Sequence, residues 1–114
     1  MISPTPTSDA RIELLGWSGC PSHDAALDRL HTALREIGRP DEPVALRWIE
    51  TDEDAAASRF VGSPTIRVDG VDIVEPDAGE QFGLTCRVYR TADGRFSPLP
   101  DAAVVVARLG ELLG

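Results

Sequence analysis

Residues 11–38 read RIELLGWSGCPSHDAALDRLHTALREIG, and the change of rhythm inside that stretch decides the fold. Arg11-Ile12-Glu13-Leu14-Leu15-Gly16-Trp17 is a short apolar run of strand length, closed by Ser18-Gly19. Beyond Pro21 the period changes. Leu27, Leu30, Leu34 and Ile37 recur at spacings of three, four and three, which lines up one face of an amphipathic helix. Asp24, Asp28, Arg35 and Glu36 take the wet side. The spacing predicts a helix over 21–37, with Ser18 to Cys20 as cap chemistry, Pro21 in the first turn, and Gly38 with Pro40 as the stop.

Working outward, VALRWIE over 44–50 alternates as a second strand. Thr51 is placed to cap a short helix over 52–60, whose first turn carries Asp52, Glu53 and Asp54 at the positive end of the helix dipole. These three carboxylates read as a solvated helix start. Thr65-Ile66-Arg67-Val68 and Val71-Asp72-Ile73-Val74 flank Asp69-Gly70, a strong short-range hairpin signal. A loop over 76–83, a strand over 85–90 and a turn at Asp93-Gly94 into Arg95-Phe96 form a β-rich insert, set at 75–97. A last helix over 101–113 puts Val105, Leu109, Leu112 and Leu113 on one face. The β-α-β start requires a parallel pair and the tight turn an antiparallel one. The fold class is therefore α/β, a mixed central sheet with helices on both faces and an extra β-rich insert before the C-terminal helix.

A chain of 114 residues, 42% hydrophobic and 26% charged, suits one globular domain, here 11–114, behind a disordered tail over 1–10 rich in Pro, Ser and Thr. No apolar run has the roughly 18–20 residues needed to span a bilayer, and MISPTPTSD lacks the basic and apolar regions of a secretory signal, so cytoplasm is the expected compartment. A formal charge of −8 repels phosphate, which argues against nucleic-acid and anionic-membrane partners. All 11 basic residues are Arg, which genome composition explains as readily as anion recognition.

Two cysteines, Cys20 and Cys86, do not make the disulfide framework of a small secreted fold. Cys20 follows a strand, sits behind Gly19 and precedes Pro21 at the expected helix start. Unpaired N–H groups and the helix dipole there favour a thiolate, lowering a thiol pKa from about 8.5 toward roughly 3.5–7.5. His23, three residues on, falls on the same face of the first turn, where it adds charge when protonated or takes the thiol proton when neutral. An exposed helix-start histidine without a partner is the alternative.

Trp17-Ser18-Gly19-Cys20-Pro21-Ser22-His23 resembles the active-site turn of thioredoxin-like and glutaredoxin-like proteins, and Ser63-Pro64-Thr65 resembles their cis-proline loop. The resemblance covers roughly 11–74 plus the final helix. It implies a thioredoxin-like domain in which Cys20 is the nucleophile, Ser63 and Pro64 meet the substrate, and Trp17 and Thr65 border that site. It also implies thiol–disulfide exchange on a small thiol or protein disulfide, with no bound cofactor beyond glutathione or another low-molecular-weight thiol as co-substrate. Where dithiol members carry a second cysteine this chain has His23, so the CPSH turn closes no disulfide of its own. Cys86 is then either a resolving thiol folded back over the turn or a small buried hydrophobe of the added strand. Linking it to Cys20 requires Cα atoms within about 7 Å.

Two other functions stay open. A pair of thiolates suits soft ions such as Hg(II), Cu(I) or arsenite, a property shared with organomercurial lyases, to which the likeness rests on the two cysteines alone. A non-catalytic domain that has lost its second motif cysteine is the third. Elsewhere, His31 and Trp48 read as packing residues, and Arg87 and Tyr89 as ligand contacts or an exposed strand face. Two cysteines and two histidines, scattered, make a poor zinc set, and no phosphate-binding glycine loop or nucleophile elbow occurs.

Overall fold

Leu14 and Leu15 are neighbours on one strand and both have no exposed surface, because each points into a different hydrophobic core. That strand, β1 (Ile12–Gly16), lies inside the sheet of a computed structural model that describes residues 10–76, 79–91 and 93–114. It pairs in parallel with β2 (Val44–Trp48), Ile12 opposite Val44 and Gly16 opposite Trp48. On its other side β3 (Thr65–Val68) runs antiparallel, Leu14 opposite Ile66, and β4 (Val71–Asp72) continues antiparallel to β3. The sheet is mixed, in the order β2-β1-β3-β4. Asp69 and Gly70 both have positive φ, 52° and 83°, the requirement of the hairpin turn whose twist matches its strands.

On one face, α1 (His23–Glu36) and α3 (Ala102–Leu113) pack against each other and the sheet, burying Leu30, Leu34 and Leu109 over Ile12, Leu14 and Ile66. On the other face α2 (Asp52–Ala57) contributes Ala55 to a smaller cluster with Leu15, Ile49 and Phe60, rimmed by Trp17 and Leu84. The crossover from β1 through α1 to β2 puts the turn after Gly16 at one end of the sheet, beside the approach to β3.

Several expected boundaries move, each for a local reason. α1 begins at His23 with Ser22 as its N-cap, so Cys20 lies ahead of the helix. Turns at 18–19 and 21–22 use up the intervening residues, the first closed by the Cys20 N–H on the Trp17 carbonyl at 3.0 Å. At its far end α1 stops as expected: Arg39 N–H reaches Leu34 O at 2.8 Å and Gly38 N–H reaches Arg35 O at 3.1 Å, around a Gly38 φ of 79°. α2 stops at Ala57 rather than 60 by the same hydrogen-bond pattern, with Arg59 in the left-handed position, and this drops Phe60 into the smaller core. Thr51 Oγ1 accepts the Asp54 N–H at 3.0 Å, the expected cap. The second hairpin strand is shorter than 71–74, because Asp72 Oδ1 accepts the Val74 N–H at 3.1 Å and turns the chain out of the ladder.

The insert forms no extension of the main sheet. β5 (Tyr89–Arg90) and β6 (Phe96–Ser97) make a separate antiparallel pair, and the expected strand over 85–90 is reduced to β5 plus a single parallel bridge between Cys86 and Ser63. The tail expected over 1–10 lies outside the described residues except for Ala10. Among the described residues no helix is long and apolar enough to cross a membrane.

Candidate functional site

Cys20 ends the turn after β1 only 5% exposed, with its thiol donating to the Ser63 carbonyl at 3.4 Å. Burial pushes this thiol up, but the neighbouring polar groups of Cys86, Ser22 and Ser63 outweigh it. The net shift is below the ordinary thiol value. Ser63 Oγ is fully buried and has no hydrogen-bond partner, so its hydroxyl is free to turn to the sulfur. The support is therefore a short turn and a neighbouring loop rather than a helix terminus, which corrects the helix-start placement of Cys20. Cys86 is exposed. Its thiol is held above the ordinary value by the neighbouring Cys20 and by desolvation. Both cysteines are free thiols. Of the two readings of Cys86, the buried hydrophobe is excluded.

What brings Cys86 here is the insert's attachment to the loop before β3. Ser63 is hydrogen-bonded through both main-chain groups, its N–H to Thr85 O and its carbonyl from the Arg87 N–H, each at 2.8 Å. Gly62 makes the approach possible: at φ 147° it has no Cβ, and one would come within 2.9 Å of Arg87 Cα. The Ser63–Pro64 peptide bond is cis. Thr65 is buried, its hydroxyl donating to Gly62 O at 2.7 Å and accepting from Arg87 Nη1 at 3.1 Å.

Arg87 is the anchor. At 4% exposure its guanidinium pairs with Asp72 Oδ2 at 2.9 Å, donates to Val74 O at 2.6 Å and lies 4.6 Å from the Tyr89 ring centre. Burial pushes the Asp72 carboxyl up, against the pull of Arg87. The Tyr89 hydroxyl donates to Pro64 O at 2.5 Å, and burial raises its pKa so far that it stays a neutral donor. Arg87 and Tyr89 share one face of the strand, and it is the inner face. The expected ligand contacts are structural ties.

His23 does not face Cys20. Its ring is 6% exposed and stacked on Trp48 of β2, centroids 4.4 Å apart and 25° from parallel. The stack fits because a Cβ on Gly16 would collide with His23 Cδ2. Its Nε2 is buried without a partner and Nδ1 lies 3.8 Å from Asp24 Oδ1. With α1 starting at His23 the ring stacks on β2, and the hydrogen bond at the Cys20 sulfur goes to the Ser63 carbonyl instead. Trp17 offers its carbonyl to the turn and its indole to Gly19 and the smaller core. His31 is exposed, off the apolar stripe where it was expected.

The structure thus gathers Cys20, Cys86, Ser63, Pro64 and Thr65, and leaves His23 and Trp17 to packing. It adds Glu50, whose carboxylate accepts the Ser18 N–H at 3.0 Å and the Ser18 hydroxyl at 2.8 Å and so holds the turn from beyond β2; these bonds keep Glu50 below the ordinary carboxylate value. Nothing in sequence spacing points to a tie across 32 residues. Among the described residues no group of three or more His, Cys, Asp and Glu side chains is arranged to hold a metal ion. Comparison with protein-family models, with characterised proteins and with solved structures finds no match to this chain.

Proposed function

We propose that this chain is a thioredoxin-like thiol–disulfide redox protein whose working couple is Cys20 and Cys86. One observation carries the reading: Cys86 bridges to Ser63, whose carbonyl accepts the Cys20 thiol, beside the cis Ser63–Pro64 bond. The element order β-α-β-α-β-β ahead of the insert and last helix, with its mixed sheet, supports the reading. In the cycle, the reduced pair transfers two electrons to a disulfide of the general form RSSR. One protein sulfur forms a mixed disulfide as RS⁻ leaves and takes a proton. The other protein sulfur then displaces the second RS⁻, leaving a Cys20–Cys86 disulfide and two RSH. Ser22 and Ser63 favour the Cys20 anion, so it is both the better populated thiolate and the better leaving group when the disulfide is reduced again.

The test is a thiol count before and after mild oxidation with a low-molecular-weight disulfide, followed by peptide mass mapping. The expected result is loss of both thiols and a link between residues 20 and 86 within one chain. Thiols that remain free would leave a non-catalytic domain. A second reading follows from the same two cysteines, both joined to Ser63, since thiolates suit a soft ion. It predicts Hg(II) or Cu(I) binding at one ion per chain, lost in both Cys20→Ser and Cys86→Ser.

A further inference from the structure

The two sulfurs are not equivalent toward solvent. Cys20 is 5% exposed and the main chain beside it is closed: Ser63 N–H and C=O are both taken by the insert, and its carbonyl also accepts the Cys20 thiol. An extended peptide docks on a sheet or loop edge through free main-chain groups, and here both those of Ser63, the residue before the cis proline, are already taken. The insert lies where such a strand would pair. Cys86, on that same segment, faces outward.

Resting on the redox reading above, we infer that Cys86 is the sulfur that exchanges with outside thiols and disulfides, that its partners are low-molecular-weight rather than extended peptides, and that Cys20 is the inner member of the couple. In the reductive direction an outside thiolate RS⁻ attacks Cys86 Sγ of the Cys20–Cys86 disulfide. The new bond is RS–Cys86, the bond broken is Cys86–Cys20, and Cys20 departs as a thiolate into the hydrogen bonds of Ser22 and Ser63. A second RS⁻ attacks the mixed disulfide, forming RSSR and a Cys86 thiolate that takes up a proton. The oxidative direction is the reverse, with the mixed disulfide again on Cys86 and Cys20 as the thiolate that displaces RS⁻. This order is opposite to the one the CPSH turn implies, in which Cys20 is attacked from outside. The cause is the insert that covers it.

The experiment uses the full chain. Cys20→Ser and Cys86→Ser each keep a hydroxyl where the thiol stood. Each is mixed in the reduced state with 2-hydroxyethyl disulfide, and adduct formation is followed by mass. Cys86 in Cys20→Ser is expected to react about tenfold or more faster than Cys20 in Cys86→Ser, with the difference abolished in denaturant, because access rather than thiolate fraction limits the inner sulfur. Should either variant fail to fold, reduced wild-type protein given half an equivalent of N-ethylmaleimide answers the same question, with most of the label expected on Cys86. Equal or faster reaction at Cys20, or label mainly on Cys20, overturns the inference. A residue 20–86 link that forms while Cys20 takes the probe sinks only this order of events. Absence of the link sinks the redox reading beneath it.

Discussion

The two cysteines are carried by parts of the chain that are stabilised in different ways. Residues 11–74 with α3 are held by apolar burial: twelve side chains, Leu14, Leu30 and Val105 among them, form one continuous cluster across α1, the sheet and α3. Among the described residues of the insert over 75–97, only Leu84 packs against a core cluster, and Phe82, Val88 and Phe96 are exposed. The insert is attached by directional bonds instead, Arg87 to Asp72, Thr65 and Val74, Tyr89 to Pro64, and two main-chain bonds to Ser63. A core assembled from nonspecific contacts tolerates repacking. A segment held by a few polar bonds is placed accurately but depends on each of them. The accuracy serves Cys86, which must meet one sulfur.

Breaking the comparison at its strongest point means removing Arg87. Arg87→Ala leaves Asp72, which is mostly buried, without its partner, a loss of about 3–5 kcal/mol. Most of that loss is expected to fall on the insert, read by native-state hydrogen exchange as loss of protection at the Ser63 and Arg87 amides, with core amides of α1 still protected. The Cys20–Cys86 link should then form poorly. Uniform loss of protection across the chain would mean that insert and core unfold as one unit. Leu30→Ala is the converse test. Truncating a fully buried side chain of the larger core is expected to cost about 3 kcal/mol, read from the midpoint of chemical denaturation, while below that midpoint the two thiols still pair. Tyr89→Phe sharpens the contrast with a smaller change. It removes the donor to Pro64 O and costs about 1 kcal/mol, seen as faster exchange at the Arg87 amide without a shift in the core.

The same division explains what could be read in advance. Apolar periodicity announces β1, α1, the hairpin and α3, because burial of a stripe is a property of neighbouring positions. The two ends of α1 differ in legibility for a physical reason. Gly38 marks the C-terminus with a conformation that other residues seldom adopt. At the N-terminus Ser18, Gly19, Cys20, Pro21 and Ser22 are all good turn and cap residues, so the choice among them fell to tertiary contacts such as Glu50 on Ser18. Within the site, Cys20, Ser63, Pro64 and Thr65 stood out by type and order. The inward face of Arg87 and Tyr89 did not, because a strand of alternating residues does not say which face is covered, and the covering partner, Asp72, lies on the other side of the loop.

The smallest expected effect is a pH dependence, read with the two cysteine variants. Cys20 is held below and Cys86 above the ordinary thiol value, and because each acts on the other, the protons leave in two steps that belong to the pair. For Cys20, stability from the depressed thiol is present above the unfolded value of about 8.5 and is lost as pH falls through the folded value. For Cys86 the sign reverses: its contribution is full below that unfolded value and is lost as pH rises through the elevated folded one. Folding stability of the reduced protein should therefore rise with pH up to the neighbourhood of the free-thiol pKa and decline beyond it, a shallow maximum superimposed on the chain's other titrations. Cys86→Ser should remove the upper limb and weaken the lower one, and Cys20→Ser the converse, because each sulfur contributes to the other's shift without being its whole cause. The measurement is the denaturation midpoint of reduced wild-type and variant chains across that pH range. Two limbs that respond independently to the two substitutions would mean that the thiols do not interact, and the insert would then be held by Arg87, Tyr89 and its main-chain bonds, without the sulfurs.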